Sequence, residues 1–240
     1  MYTVCNHHHK TMRIKINIDV SGLKINRIIK FFVMSDLMLW GGWGLIGPIF
    51  SIFLVQTISG ATVATVGGVV ATYWITKSLI QLPVAVALDR HEGERDDFYT
   101  LIFSLLLAGF TALAYLLVED ITSLYLVAFL QGLSFGLYAP AWAGIFSRHL
   151  DKEHYAFDWS LDSTTIGLAS GIAAFVGGGL ANAFGFDIVF ILASVLSFFS
   201  ALLLLMVPDL VFPKATINIP FRFPGFMKMK TPIEIEKKGQ

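Results

Sequence analysis

Residues 44–50 read Gly44-Leu45-Ile46-Gly47-Pro48-Ile49-Phe50, and residues 136–142 read Gly136-Leu137-Tyr138-Ala139-Pro140-Ala141-Trp142. The two stretches share a Gly and a Pro in register at an offset of 92 residues, and each proline falls deep inside a long apolar segment. Proline in a buried helix removes a donor and leaves a carbonyl without its partner, so Pro48 and Pro140 are expected to break their helices at equivalent depth. The same offset lays Phe98 on Phe190, the third apolar segment on the sixth. Gly and Pro are common in spanning helices, which is the competing account of the match. Taken as a repeat, it describes two copies of three helices.

A bilayer core of about 30 Å requires about 20 apolar residues in a helix. Six such stretches lie near residues 31–57, 62–88, 98–118, 121–147, 158–183 and 187–208. Because three spans separate the copies, the repeats have opposite orientations, a three-plus-three inverted arrangement. The expected class is an all-α membrane protein of six transmembrane helices. Composition agrees: 55% of the 240 residues are hydrophobic and 14% charged, against roughly 25% charged in a soluble domain. That composition argues against a soluble enzyme and a disordered chain, and Cys5, the one cysteine, cannot make an intrachain disulfide, which argues against a disulfide scaffold. The first apolar stretch is too long for a cleaved signal, so it is expected to be retained.

The basic residues are one-sided. Lys10, Arg13, Lys15, Lys24, Arg27 and Lys30 precede the first span, Arg90 and Arg95 lie in the second loop, and Arg148 and Lys152 lie in the fourth. Lys214, Arg222, Lys228, Lys230, Lys237 and Lys238 follow the last span, and the intervening loops hold only Glu119, Asp120 and Asp187. The positive-inside rule then places both termini in the cytoplasm of a plasma (inner) membrane protein. Expected boundaries are a cytoplasmic tail over 1–30, a six-helix domain over 31–208 and a second cytoplasmic tail over 209–240. Zero net charge points to no nucleic acid. No metal is expected at the His7 to His9 run, nor at His149 or His154, which lack partners at ligand spacing, and no cofactor is expected. The proline-rich stretch after Pro208 reads as a disordered tail, the alternative being contact with an anionic membrane surface.

The loop Ala85-Val86-Ala87-Leu88-Asp89-Arg90-His91-Glu92-Gly93-Glu94-Arg95 resembles motif A of the major facilitator superfamily. Asp89 and Arg90 match it; Gly93 and Arg95 are displaced by inserted residues, and Ala85 stands where the leading glycine belongs. The resemblance implies that Asp89, Arg90, Gly93 and Arg95 form a latch joining two halves at the cytoplasmic side. Leu130-Gln131-Gly132 is similar to part of motif B, whose arginine position holds Ala128, and Gly167 to Gly179 is reminiscent of the glycine-rich antiporter motif. Close packing through small residues is the plainer reading of those glycines. Pro140-Ala141-Trp142, Ser147-Arg148-His149 and Trp159-Ser160-Leu161-Asp162-Ser163 look like a compact bacterial subgroup of the superfamily. The resemblance implies one six-helix half of a transporter that ordinarily has two.

Charges inside spans are costly and functional by default. Asp36 and Lys77 are the clearest, and at a rise of 1.5 Å per residue they sit roughly 8 Å and 15 Å from the cytoplasmic ends of their spans. A pair between them is expected, serving either the transport pathway or helix packing. Trp40, Trp43 and Gly47 share a face with Asp36, while Tyr73 and Gln81 share one with Lys77. Gln131, Ser134, Tyr138 and Trp142 form a polar and aromatic face on the fourth span, and Asp162 is a third charge, in a position the macrodipole alone would favour. The third and sixth spans, without charges, are expected to face lipid. The sequence carries no phosphate loop, nucleophile with base, or metal cluster. The reading is therefore secondary-active transport of a small molecule or ion by alternating access, in a lipid bilayer, by a homodimer or with another half as partner. The alternative is a six-span subunit that binds or regulates another membrane protein without transporting.

Overall fold

The computed structural model describes residues 26–90, 93–151 and 153–207. The His7 to His9 run, most of the first tail and the whole 209–240 tail lie outside the described residues. Among the described residues seven α-helices follow in order: α1 Arg27–Ile46, α2 Phe50–Thr57, α3 Val63–Asp89, α4 Arg95–Ala114, α5 Ile121–His149, α6 Tyr155–Phe184 and α7 Phe186–Leu205. A 3₁₀ turn, Tyr115–Leu117, extends α4. The first span is α1 and α2 together, interrupted at Gly47-Pro48-Ile49. α1 starts at Arg27, four residues before the boundary expected at 31, because the Asn26 side chain accepts from the Ile28 backbone N–H at 3.1 Å and caps it.

Local sequence fixes the other ends. Thr62 and Thr65 form a reciprocal capping box at α3, and Asp120 and Ser123 do so at α5. The Ser123 backbone N–H holds the Asp120 carboxyl below the usual carboxylate range. Asp96 and Asp97 occupy the first turn of α4, and Arg148 and His149 the last turn of α5, each matching the sign of the helix end. Gly185, with φ of 87°, makes the one-residue turn from α6 into α7.

Among the described residues six segments are long and apolar enough to cross a membrane, and most of their packing follows the repeat. α1 packs along α6 and α7; α5 packs along α3 and α4; α4 and α7 meet each other. Exchanging the first three spans for the last three leaves these contacts unchanged, while the contact of α6 with α7 has no counterpart of similar extent between α3 and α4. α3 begins at Val63 and α6 at Tyr155, and the first span ends at Thr57 and α5 at His149, so helix boundaries repeat at the 92-residue offset. Close approach is shared too. A Cβ on Gly44 would stand 2.8 Å from Ser170 Cα on α6, and one on Gly136 would stand 2.9 Å from Ile80 Cβ on α3. Only glycine lets these backbones meet at both equivalent points.

One expectation fails. α5 runs without interruption through Pro140; the helix on both sides is held by α3 and α4, and the missing donor does not break it. α3 likewise passes through Pro83. The glycines of α6 also depart from expectation. A Cβ at Gly167, Gly171, Gly178 or Gly179 would meet nothing within 4 Å, and only Gly177 packs, against the Leu45 backbone.

Each outer helix shows apolar side chains to the surroundings. α4 exposes Tyr99, Phe103 and Phe110, and α7 exposes Ile191, Val195 and Leu202, as expected of lipid-facing helices. The most open helices, however, are α3 and α6, which expose Trp74, Ile75, Leu79 and Leu82, and Leu168, Ile172 and Phe175.

Candidate functional site

Beside the break at Gly47, the bundle holds a cavity of about 240 Å³. Trp40, Trp43, Ile46, Gly47 and Phe50 line it from the first span, Val69, Val70, Tyr73 and Trp74 from α3, and Gln131 and Phe135 from α5. The walls are aromatic because Trp40 and Trp43 lie one turn apart on one face of α1 and meet Phe135 at ring-centroid distances of 5.8 and 5.3 Å. Tyr73 joins the same ring at 6.0 Å. No charged side chain lines it. Polar groups are few: Gln131 accepts a 2.7 Å hydrogen bond from the Tyr115 hydroxyl, and the Trp43 indole N–H is buried without a partner. An aromatic cavity with a few orienting polar groups is the ordinary chemistry of a small-molecule site.

Nearer the basic end, Asp36 is 1% exposed and Asp162 is 3% exposed. Their carboxyls lie within hydrogen-bonding reach of each other, where α1 crosses α6. The Tyr138 hydroxyl on α5 donates to Asp36 Oδ1, and Trp142, one turn on, stacks on Phe146 at 4.4 Å with its own N–H unpartnered. The expected Asp36–Lys77 pair does not exist. α3 packs along α5 and meets the first span chiefly at α2, and Lys77 Nζ lies 4.8 Å from the centre of the Trp74 ring instead.

Two other expected residues fall elsewhere. Ser134 is fully buried and donates to the Ser104 carbonyl at 2.8 Å, so it joins α5 to α4 and does not share the cavity. Gln81 lies on α3 one turn beyond Lys77 and outside the cavity lining.

At the basic end of the bundle, Asp89, Arg90, Gly93 and Arg95 are exposed, and Asp89, Arg90 and Arg95 make no ion pair among the described residues. The ion network there is built by others. Arg148, at the end of α5, pairs with Asp97 and with Glu94, the latter at 3.3 Å, and His149 Nδ1 stands 3.7 Å from Glu94. Asp97 and Glu94 were missed in the sequence because their partner lies on another helix, 51 residues away for Asp97. Acids in the first turn of α4 and bases in the last turn of α5 were the only signal.

A family model described as Major Facilitator Superfamily matches residues 33–225. The chain belongs to the major facilitator superfamily. It is 25% identical, over 174 residues, to an uncharacterised MFS-type transporter of Methanocaldococcus jannaschii, an alignment covering 72% of this chain and 44% of that protein. It also superposes on the solved structure of the POT family transporter PepTSo with a TM-score of 0.59 at 19% identity, covering 76% of this chain and 37% of that one. The second match speaks for the fold alone. The chain thus spans less than half the length of the superfamily members it matches. The six helices are one half-bundle of the superfamily, and the protein is an integral membrane protein of a transporter family.

Proposed function

We propose that the chain is a secondary-active transporter of a small solute, and not an enzyme, working by alternating access. The observation that carries this reading is the helix break at Gly47-Pro48-Ile49 opening onto the aromatic cavity. A broken spanning helix frees backbone polar groups and is tolerated only where protein or a cavity receives them. Trp40, Trp43, Tyr73 and Gln131 are the solute-contacting residues in this reading. Both termini face the cytoplasm of the plasma membrane, as the basic residues favour, and the segments before and after the helices are cytoplasmic tails.

Transport also needs a second half. The exposed apolar faces of α3 and α6 support pairing with another six-helix unit, a second copy related by a two-fold axis along the membrane normal. The exposed Asp89, Arg90 and Arg95 would then serve as the latch between halves. Counterflow into liposomes by purified protein, across sugars, amino acids, nucleosides and lipophilic drugs, tests the reading: accumulation of one class, lost in Trp43→Ala, supports it. No accumulation for any class, with folded protein in the bilayer, leaves the regulatory subunit as the function.

A further inference from the structure

Asp36 and Asp162 present an unbalanced set of hydrogen-bonding atoms. Asp36 Oδ1 receives the Tyr138 hydroxyl, but Asp36 Oδ2 and Asp162 Oδ1 are buried with no donor. An ionised carboxylate only accepts, so two of them within hydrogen-bonding reach are acceptors facing acceptors. No Lys, Arg or His pairs with either among the described residues. From α5 the facing groups are Tyr138 and Trp142; from α6 they are Asp162 itself and, one turn nearer the basic end, Asp158, which is occupied by the Asp151 backbone N–H at 3.0 Å. α7 brings serines here, its single charge Asp187 lying at its far end. Arg27 and Lys30 belong to the first turn of α1, two turns from Asp36. The Trp142 indole N–H, itself unpartnered, is a neutral donor within reach of Asp36, and against two unpartnered carboxylate oxygens the site still lacks one donor and one positive charge; a proton is the smallest thing that supplies both.

We propose that Asp36 and Asp162 form a proton-binding site, in which one carboxyl is protonated and donates to the other across the α1–α6 contact. Binding forms one O–H bond and turns acceptor-facing-acceptor into an O–H···O⁻ hydrogen bond; release returns that proton to water and leaves two like charges facing each other in a buried site. The Tyr138 hydroxyl stabilises whichever form carries charge on Asp36. Asp36 also shares a helix face with Trp40 and Trp43, one and two turns away, which line the cavity. Proton loss pushes α1 from α6 and moves that wall. Naming the proton a coupling ion rests on the transport reading; its binding does not.

Infrared spectroscopy of the protein in nanodiscs, without added solute and in sodium-free buffer, reads the site directly. The wild type is expected to show a carboxylic-acid C=O band at neutral pH that shifts in D₂O and disappears at high pH. Asp36→Asn and Asp162→Asn are each expected to lose it, since the amide N–H then donates to the remaining carboxylate. Asp36→Glu and Asp162→Glu keep a carboxyl at each position and are expected to keep a displaced band, and Asp158→Asn leaves it unchanged. A wild type with no such band, or a band that survives both Asn variants, overturns the proposal. So does its removal by added sodium with a rise in melting temperature, which assigns the site to a metal cation. A band without counterflow sinks transport and leaves the proton site; counterflow without a band does the reverse.

Discussion

Trp43 and Phe135 occupy the same position in the two repeats, and their rings meet edge to face at 5.3 Å between centroids. Residues related by a pseudo-two-fold operation touch only where the axis passes between them, so this pair marks the axis of the inverted repeat. Both are buried, and the cavity opens beside them.

Removing either ring is expected to loosen both repeats at once. Phe135→Ala should cost about 3 kcal/mol, and a double-mutant cycle with Trp43→Ala should return a coupling of about 1 kcal/mol for the edge-to-face contact. Thermal unfolding of detergent-purified protein measures it; additive losses would mean that the rings do not support one another.

The shared close approaches give a second expectation. Gly136→Val drives a side chain into Ile80 and the Lys77 backbone, so it should lower stability by about 1–3 kcal/mol, the usual cost of overpacking. Gly44→Val should do the same against Ser170. Gly171→Val, where a Cβ meets nothing within 4 Å, should leave the melting temperature of the monomer unchanged, and a drop equal to that of Gly136→Val would contradict the packing described.

The ion network at the basic end is unequal. Asp97 has a side chain 6% exposed, whereas that of Arg148 is 43% exposed. Arg148→Ala strands a buried charge and should cost up to about 3 kcal/mol, less whatever solvent screening returns at the exposed end. Asp97→Ala leaves an arginine that is partly solvated and still paired with Glu94, so the double variant should recover part of the loss. Melting temperatures of the three variants decide, and a double variant no better than Arg148→Ala would show that stranded charge is not the cause.

Sidedness is testable by labelling. In cells expressing single-cysteine variants, Gly60→Cys should react with an impermeant maleimide from outside, and Gly93→Cys, at the opposite end of α3 and its turn, only after permeabilisation. The reverse pattern would invert the orientation that the basic residues favour.

Much of the architecture was legible because spanning helices advertise themselves: every expected apolar stretch holds a helix, and the 92-residue offset reappears in helix boundaries and in which helices touch. Side-chain partners were less legible. Depth along a span follows from counting residues, but neighbours follow from the order in which helices stand around the bundle. Asp36 and Lys77 looked like partners by depth, yet α1 packs against α6 and α7, which hands Asp36 to Asp162. Trp40 and Trp43, Tyr73, and Gln131, read from three helix faces separately, converge because those faces surround one cavity. Ser134 was misplaced since a single serine satisfies its hydroxyl on whichever neighbour is nearest, here the Ser104 carbonyl.

Pro140 and Pro83 sit in helices that stay whole, but each still withholds a donor from the carbonyl four residues before it, Gly136 in α5 and Leu79 in α3. Gly136 packs against Ile80, the immediate neighbour of Leu79. Two weakened turns therefore stand side by side in adjacent helices, and bending there sacrifices one hydrogen bond fewer in each. Any bending of the α3–α5 pair is therefore expected to concentrate at these two turns.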